Sequence, residues 1–563
     1  MRWNIQSTPN TQKLQHLQNE LQVDTTIATL LLHRGIETYE QAKQFFRPTW
    51  HDLHNPYLMK DMDKAVARIE KAIANNENIL IFGDYDVDGT TAVALVSSYL
   101  KSYYKNIATY IPDRYTEGYG VSFQGIDFAH DNDFSLIIAL DCGIKSIEHV
   151  HYALQKNIDF IICDHHLPAD VLPSAIAVLD PKRQDCTYPY KELCGCGIGF
   201  KLIQALAKNK KQSDIDLMPY LDLVATAIAA DIVPITGENR VLAKLGLEVI
   251  NSNPRPGIKA LIQNLKKQYL TISDVVFIIA PRINAAGRIK HGNEAVALLT
   301  EFNINQAEIF ANEIEQHNSD RKDIDKQITT EALELIQLNN EQQNYTTVVY
   351  QPHWHKGVIG IVASRLIENY YRPTIVFTKS DTKLAGSARS VKGFDVYKAL
   401  ENCAQHLEQF GGHMYAAGMT LREDNFLNFK LSFEQEVKKT IPEELRSPEL
   451  SIDMELDFDK ITPKFLRILK QFEPFGPQNM TPVFVAKNLK DTGFAKQMGK
   501  NNEHLKLFIK QPNSIGIDAI GFGLGDKINL VQNQQVFNAV FSIEENEFNG
   551  VVNLQLKIKD IQP

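Results

Sequence analysis

The sequence predicts an α/β protein of several domains: a parallel-sheet domain, a long connecting helix, a smaller α/β domain and a C-terminal all-β barrel. Three observations carry that reading. Between residues 61 and 303, short apolar runs alternate with helical periodicities, the pattern of parallel strands joined through crossover helices. From Asn305 to about Leu338 there is neither Gly nor Pro, and apolar residues (Phe310, Ile314, Ile324, Ile328, Leu335) recur weakly among charges, as in a helix bridging two lobes. Beyond residue 443 the segments TPVFVAKNL, HLKLFIK, IDAIGFG and VVNLQLKIKDI are short and alternating, with turn signals between them.

A chain of 563 residues exceeds what one core fills, and length alone suggests about three or four domains. The boundaries read as an N-terminal segment over 1–60, a first lobe over 61–303, the connecting helix over 304–338, a second lobe over 339–442 and the barrel over 443–563. With 44% hydrophobic and 23% charged residues, the composition excludes a mostly disordered chain. No run approaches the roughly 18 apolar residues of a membrane span, and MRWNIQSTPNTQ lacks a signal-peptide core. The six cysteines form no disulfide framework, so a soluble cytoplasmic protein with no membrane association is expected. A net charge of −9 argues weakly against nucleic acid as a partner, but local clustering of cations decides that question.

The organising stretch is ILIFGDYDVDGT, residues 79–90. An apolar run stops at Gly83 and gives way to Asp84, Asp86 and Asp88, which read as strand-like alternation continuing past the end of the core. A solvated acidic turn is the bland alternative. The pattern then recurs. SLIIALDCGI ends in Asp141, and DFIICDHHLP ends in Asp164, His165 and His166. Ligands bind outside the carboxyl ends of strands in such sheets, so metal-type side chains at three strand ends favour a site. Asp231 closes the apolar helix YLDLVATAIAADIVP and takes its weight from the other three.

Together Asp84, Asp86, Asp88, Asp141, Asp164, His165, His166 and Asp231 are too many ligands for one ion and suit two. Two divalent cations about 3.5–4 Å apart are a standard device for phosphoester hydrolysis. An Asp between them must bridge, and Asp141 is the choice. Mixed carboxylate and imidazole ligation favours Mn²⁺ over Mg²⁺, and zinc competes poorly because its sites use fewer, softer ligands. The trio His51, Asp52 and His54 reads as a loop, and Cys194 and Cys196 in LCGCGIGF read as structural.

These residues carry a resemblance. DYDVDG, Asp141, DHH at 164–166 and Asp231 resemble the four motifs of the DHH phosphoesterase superfamily, and GGHMYAAG resembles the glycine-rich motif of its associated second domain. PRINAAGR at 281–288, WHKGVIGIVASRL at 354–366 and FEPFGPQNMTPVF at 472–484 are similar to the RecJ family of bacterial single-strand-specific exonucleases. The resemblance runs from about residue 60 to the C-terminus. It implies a 5′→3′ exonuclease degrading single-stranded DNA to mononucleotides in repair and recombination, with two Mn²⁺ or Mg²⁺ ions and an OB-fold barrel. By the family pattern Asp86 holds the first ion, with Asp84 adding to it. Asp88 holds the second ion, completed by His165 and Asp231, while Asp141 bridges. His166 contacts the scissile phosphate, and Asp164 orients His165 or a neighbour. A helicase and a single-strand-binding protein are the partners the resemblance implies, and two lobes around a cleft suffice for a monomer.

For nucleic acid, Arg282, Asn284, Arg288 and Lys290 form one donor cluster. Ser387, Arg389 and Ser390 are expected in a glycine-containing turn, and Gly411, Gly412 and His413 in a glycine loop whose amides make a phosphate nest. On the barrel, Lys506, Phe508 and Lys510 are candidates for tracking a strand, with core packing the equal alternative for Phe508. Two other readings compete: a phosphodiesterase for short oligonucleotides or cyclic dinucleotides, and a non-catalytic scaffold. The long segment after Ser447 counts against the first, and the complete ligand set against the second.

Overall fold

The computed structural model describes residues 1–512, 514–548 and 551–563. They form two compact units, one of Thr49–Pro442 and one of Met1–Pro48 with Glu443–Pro563. Among the described residues, no helix is long and apolar enough to cross a membrane.

The first unit opens with a five-stranded parallel sheet of β1 (Asn78–Gly83), β2 (Ile107–Tyr110), β3 (Phe134–Leu140), β4 (Asp159–Cys163) and β5 (Ala177–Leu179), in the order β2-β1-β3-β4-β5. Alternate residues serve opposite faces. Ile79 and Ile81 pack with the helices Val87–Lys101, Gly195–Asn209 and Leu221–Asp231, while Leu80 and Phe82 pack with Phe123–Asp131 and Ile147–Gln155. Both faces are therefore covered, as near-continuous apolar strands require. The chain reverses its direction of growth across the sheet between β1 and β3, and ligands bind at such a switch point.

Register sharpens this. Gly83 pairs with Leu140, Leu140 with Cys163 and Cys163 with Leu179. Each is followed by an aspartate, so Asp84, Asp141, Asp164 and Asp180 form one row along the carboxyl edge. Asp180 is a fourth strand-end carboxylate that the sequence reading missed, hidden in the short run AVLDP.

The helix Ile304–Leu338 joins this lobe to the next. Its buried residues, Ala307, Ala311, Ile314, Asn318, Arg321, Asp325, Ile328, Ala332 and Ile336, follow a three-to-four spacing along one seam. Ala307 to Ile314 belong to the first lobe's core, and Ile328 to Ile336 to the second's. The polar middle lies between two cores, which is why hydrophobic periodicity is weak there. Buried Asp325 accepts from Arg365 Nε at 2.9 and 2.7 Å.

The second lobe holds β6 (Thr347–Tyr350), β7 (Thr374–Ser380), β8 (Lys383–Arg389), β9 (Gln409–His413) and β10 (Ala416–Leu421), ordered β9-β10-β8-β7-β6. Only the β6–β7 pairing is parallel. The glycine-rich stretch thus folds as the hairpin β9–β10, not as a loop, and Ser387 and Arg389 lie on strand β8, not in a turn. In each case the cross-strand ladder satisfies backbone groups that a loop would leave to a ligand.

In the other unit, β11 (Phe484–Asp491), β12 (His504–Lys510), β13 (Ile517–Gly521), β14 (Phe537–Phe548) and β15 (Val551–Gln562) close into a barrel, because β11 pairs with both β14 and β12. Leu505, Leu507 and Ile509 point into its core, leaving Lys506, Phe508 and Lys510 on the outside. Phe508 is therefore not a core residue; its ring meets exposed Phe494 edge-on at 6.2 Å. The N-terminal segment over 1–60 is corrected. Residues Leu14, Leu17, Ile27, Leu30 and Leu31 share one core with Phe465, Phe472 and the barrel strands, whereas residues from Thr49 on belong to the first unit. Averaging the polar composition of the segment hid two amphipathic helices, Thr11–Leu21 and Thr25–Leu32.

Replacing Arg365 with Ala removes the cation hydrogen-bonded to buried Asp325, leaves it only the charge of Arg321, and should cost about 1–2 kcal/mol in urea unfolding of the lobe pair. A loss below about 0.5 kcal/mol would show that the strut's polar seam contributes nothing to stability.

Candidate metal centre and adjoining cleft

Strand β1 ends at Gly83, and the helix Val87–Lys101 begins almost at once. The strand-like alternation expected through Asp88 is thus wrong. Asp86 is the N-cap, its carboxylate accepting from Gly89 N at 3.0 Å, and Asp88 sits in the first turn. Unpaired amides and the helix dipole reward carboxylates at those positions more than an extended strand would. The turn is tight: a Cβ on Gly89 would come within 2.4 Å of Asp84 O.

Asp88 is buried and held by two further amides, Gly195 N at 2.6 Å and Cys196 N at 2.7 Å, at the start of the helix Gly195–Asn209. Asp141 adopts the left-handed backbone, φ 59°, with its amide on Cys163 O at 2.9 Å. That bend brings it against the same helix start, where a Cβ on Gly195 would lie 2.5 Å from Asp141 Cβ. LCGCGIGF is therefore part of the site through its backbone, a role the sequence reading missed because it weighed only the thiols. All six cysteines are free and buried.

His165 Nε2 reaches Asp141 Oδ1 at 3.2 Å, Asp231 Oδ2 at 3.6 Å and Asp88 Oδ2 at 3.8 Å. Asp231 arrives as the last residue of its helix, ahead of the left-handed Ile232. Asp84 Oδ2, Asp141 Oδ1, Asp231 Oδ2 and His165 Nδ1 are buried without a hydrogen-bond partner. Orphaned carboxylate oxygens beside an imidazole are what a hard divalent cation satisfies, so these residues fit such ions. Two overlapping ligand sets converge, Asp88, His165 and Asp231 in one and Asp141, His165 and His166 in the other.

Asp164 orients His166, not His165. Its Oδ1 lies 2.7 Å from His166 Nδ1 and accepts from the amides of His165 and His166 at 2.8 and 3.1 Å, while Oδ2 accepts from Ile144 N at 2.9 Å. Burial works against its charged form, but the His166 ring, by hydrogen bond and charge, and then the amides hold Asp164 below the usual range. Lys182, just after Asp180, acts electrostatically on both His165 and Asp231. In the segment 51–54, read from sequence as a loop, His54 N donates to Glu238 Oε1 and Asp52 Oδ2 accepts from Thr49 N.

A cleft between the lobes lies beside this centre. A cavity of about 590 Å³ is lined by Arg114, Arg288, Lys356 and Arg389, with Tyr85, Tyr115, Phe410 and Ser387, and no carboxylate is among its lining residues. Arg114 sits over the Tyr85 ring at 4.1 Å. Burial and the neighbouring Arg114, Arg389 and Arg321 push Arg288 down to about 9, while Arg288 Nη1 donates to Gly357 O at 2.9 Å. Unbalanced buried cations of this kind are what a phosphate relieves. Gly411 and Gly418 face each other across the hairpin with open space where side chains would be, which leaves a bare floor.

Of the expected nucleic-acid residues, Arg288, Ser387, Arg389 and Gly411 line this cavity. Gly412 supports the hairpin: a Cβ there would lie 2.3 Å from Ala416 O. Arg282 is not brought to the cavity; it ion-pairs with Glu315 on the strut and donates to Ile278 O at 2.6 Å. Asn284 shares a helix face with Arg288, and His413 is exposed at the end of β9, outside the cavity. Arg114 and Lys356 were missed. Arg114 follows β2, where the rule of strand carboxyl ends would have pointed.

Burial and Asp86 push Asp84 up to about 8 and Asp88 up to about 6. Burial with Asp88 and Asp86 pushes Asp231 up to about 9 and holds Asp141 well above the carboxylate range. Groups raised above their unfolded values of about 4 stabilise the metal-free fold fully below that pH, and the stabilisation is lost as pH rises through 6 to 9. Divalent ions bind the deprotonated form and oppose the loss. The melting temperature of EDTA-treated protein should therefore fall from pH 5.5 to pH 9, and the gain on adding Mn²⁺ should widen over that range. A gain independent of pH would contradict the assigned ligands. Gly195→Ala, which drives a methyl into Asp141, should abolish the Mn²⁺ gain altogether.

Comparison with known proteins agrees with this geometry. The profiles of the DHH family N-terminal domain, the DHHA1 domain and the RecJ OB domain match residues 78–228, 342–439 and 452–560. The single-stranded-DNA-specific exonuclease RecJ of Bacillus subtilis is 36% identical over the whole of this chain and 70% of its own length. That of Escherichia coli is 34% identical over 95% of each chain. The crystal structure of Thermus thermophilus RecJ with Mn²⁺ superposes with a TM-score of 0.86 at 26% identity, covering all of this chain and 79% of that one. Its Mg²⁺ complex gives 0.79 at 25% identity over all of this chain and 78% of that one. With relatives of 36% and 34% identity matched over nearly the whole chain, the chain belongs to the RecJ family of single-stranded-DNA-specific exonucleases.

Proposed function

We propose that the protein is a metal-dependent exonuclease that hydrolyses single-stranded DNA from its 5′ end to mononucleotides, in DNA repair and recombination. The observation that supports this best is a juxtaposition. The orphaned carboxylates and the cation-lined cavity share one turn, since Tyr85 lines the cavity between Asp84 and Asp86. A phosphate held in the cavity and a scissile phosphate at the carboxylates then belong to neighbouring positions of one strand, which suits release of one nucleotide at a time.

Two Mn²⁺ or Mg²⁺ ions, when bound, supply an activated water and neutralise charge on the phosphate and leaving oxygen. Asp86, with Asp84, would hold the first. Asp88, His165 and Asp231 would hold the second, and Asp141 both. The amides of Gly195 and Cys196 aim Asp88 and offset part of the burial that disfavours its charged form. His166, with Nδ1 committed to Asp164, presents Nε2 to the scissile phosphate. Ser387, Arg288, Arg389 and the floor at Gly411 grip the adjoining phosphate, while Gly412 shapes the hairpin. Asn284 and His413 are assigned to the strand beyond that cavity. Lys506, Phe508 and Lys510 on the barrel's outer face track single strand by charge and stacking. Under this reading the first lobe is the catalytic part, the long helix the connection, the second lobe the phosphate grip, and the barrel, with the N-terminal helices in its core, the strand-tracking part. The protein works in the cytoplasm as a monomer, alongside a helicase and a single-strand-binding protein.

The deciding assay uses single-stranded DNA labelled separately at each end, with Mn²⁺, Mg²⁺ or EDTA. Immediate mononucleotide release from the 5′ end only, abolished by EDTA, is expected. Intact long strands with cleaved dinucleotides would replace the reading with a small-substrate phosphodiesterase. Asp86→Ala and His165→Ala should abolish cleavage and keep strand binding within about threefold, whereas Arg389→Ala should raise KM about tenfold with metal affinity unchanged. Loss of binding and cleavage together in a folded Asp86→Ala protein would sink that division.

A further inference from the structure

Histidine 166 has two ring nitrogens, and the fold commits one of them. Nδ1 lies 2.7 Å from Asp164 Oδ1, so only Nε2 can meet a phosphate. That nitrogen is already engaged: Tyr119 Oη lies 3.2 Å from it. The phenol thus stands where a phosphate oxygen would have to bind.

Tyr119 is not there to fill a core. Its side chain is 57% exposed, and the ring meets His166 edge-on at 6.1 Å and Tyr85 at 6.2 Å. Nor does the loop need it. Asp113 Oδ1 accepts from the amides of Tyr115 and Thr116 at 2.9 and 2.8 Å, and the Tyr115 hydroxyl donates to Arg288 O. An exposed tyrosine with its hydroxyl turned inward onto a catalytic histidine is placed for a ligand, not for stability. Through Tyr85 it also adjoins the cation-lined cavity, so it flanks the path between the two phosphate positions.

We propose that Tyr119 is a further catalytic residue of this exonuclease: its hydroxyl oxygen accepts from the Nε2–H of a charged His166 in the free enzyme, and its O–H donates to a non-bridging oxygen of the scissile phosphate when a strand enters. His166 Nε2, released, bonds the same phosphate. The bond between the side chains, and the one the exposed hydroxyl makes to solvent, are exchanged for two to an anion, and no proton changes place. No covalent bond to Tyr119 forms, and its proton stays on its oxygen. The inference rests on the exonuclease reading.

The test uses the full-length protein with Mn²⁺ and two 5′-labelled single-stranded oligonucleotides, one carrying a stereochemically defined sulfur on the first internucleotide phosphate. Kinetics and Mn²⁺ half-saturation are compared for wild type and Tyr119→Phe. The expected result is a fall in kcat of roughly tenfold for Tyr119→Phe, with KM and Mn²⁺ half-saturation within about twofold. In one sulfur isomer the slowing seen in wild type should shrink in the variant, because the contact it perturbs is already gone. An unchanged kcat in Tyr119→Phe overturns the proposal. So does a parallel loss of Mn²⁺ affinity, or equal slowing of both enzymes by both sulfur isomers. Wild-type protein that releases no nucleotide would overturn the exonuclease reading itself, which separates the two failures.

Discussion

The arrangement depends on strand register. Pairing Gly83 with Leu140, Leu140 with Cys163 and Cys163 with Leu179 sets the next residue of each strand, always an aspartate, on one line at the edge of the sheet. A slip of one residue in any strand would exchange the side chains packed against the two helical layers and carry its aspartate off the row, so packing on both faces enforces the position of the carboxylates. The same burial that fixes them also crowds like charges together, and this is a structure that a cation completes. Stability of the core and demand for metal are two consequences of one constraint.

The site then divides its carboxylates by environment. Asp88 and Asp164 receive amide donors and are pinned, while Asp84, Asp141 and Asp231 keep buried oxygens with no partner. Amides fix where the Asp88 and Asp164 carboxylates sit, and Asp88 still belongs to a ligand set with His165 and Asp231. In the adjoining cavity the balance reverses: Arg114, Arg288 and Arg389 are gathered with no carboxylate among the lining residues. An acidic centre for cations beside a basic cavity for phosphate explains how a chain of net charge −9 handles a polyanion.

Much of this was legible because strand ends announce themselves. Apolar runs closing in Asp84, Asp141 and the DHH triplet, and the absence of Gly and Pro across the strut, survive any uncertainty about packing. What was not legible depended on neighbours distant in sequence. Asp86 and Asp88 alternate like strand residues, and only the adjoining helix start shows them as cap and first-turn groups. Gly411 and Gly412 look like a loop until the partner strand Ala416–Leu421 is in place. Arg282 and Arg288 lie in one motif, yet a strut glutamate claims the first and the cavity the second. The role of LCGCGIGF lay in its amides, which every residue type but proline carries, so side-chain chemistry gave no signal. The N-terminal helices were lost because their apolar partners lie more than 400 residues away.

The central claim is that the row of carboxylates is a two-ion centre. The most direct measurement is Mn²⁺ stoichiometry by calorimetry together with the electron paramagnetic resonance spectrum of the loaded protein. The account predicts two Mn²⁺ per chain with an exchange-coupled spectrum, lost together in Asp141→Ala. A single uncoupled Mn²⁺ per chain at saturation, unaffected by that substitution, would contradict it.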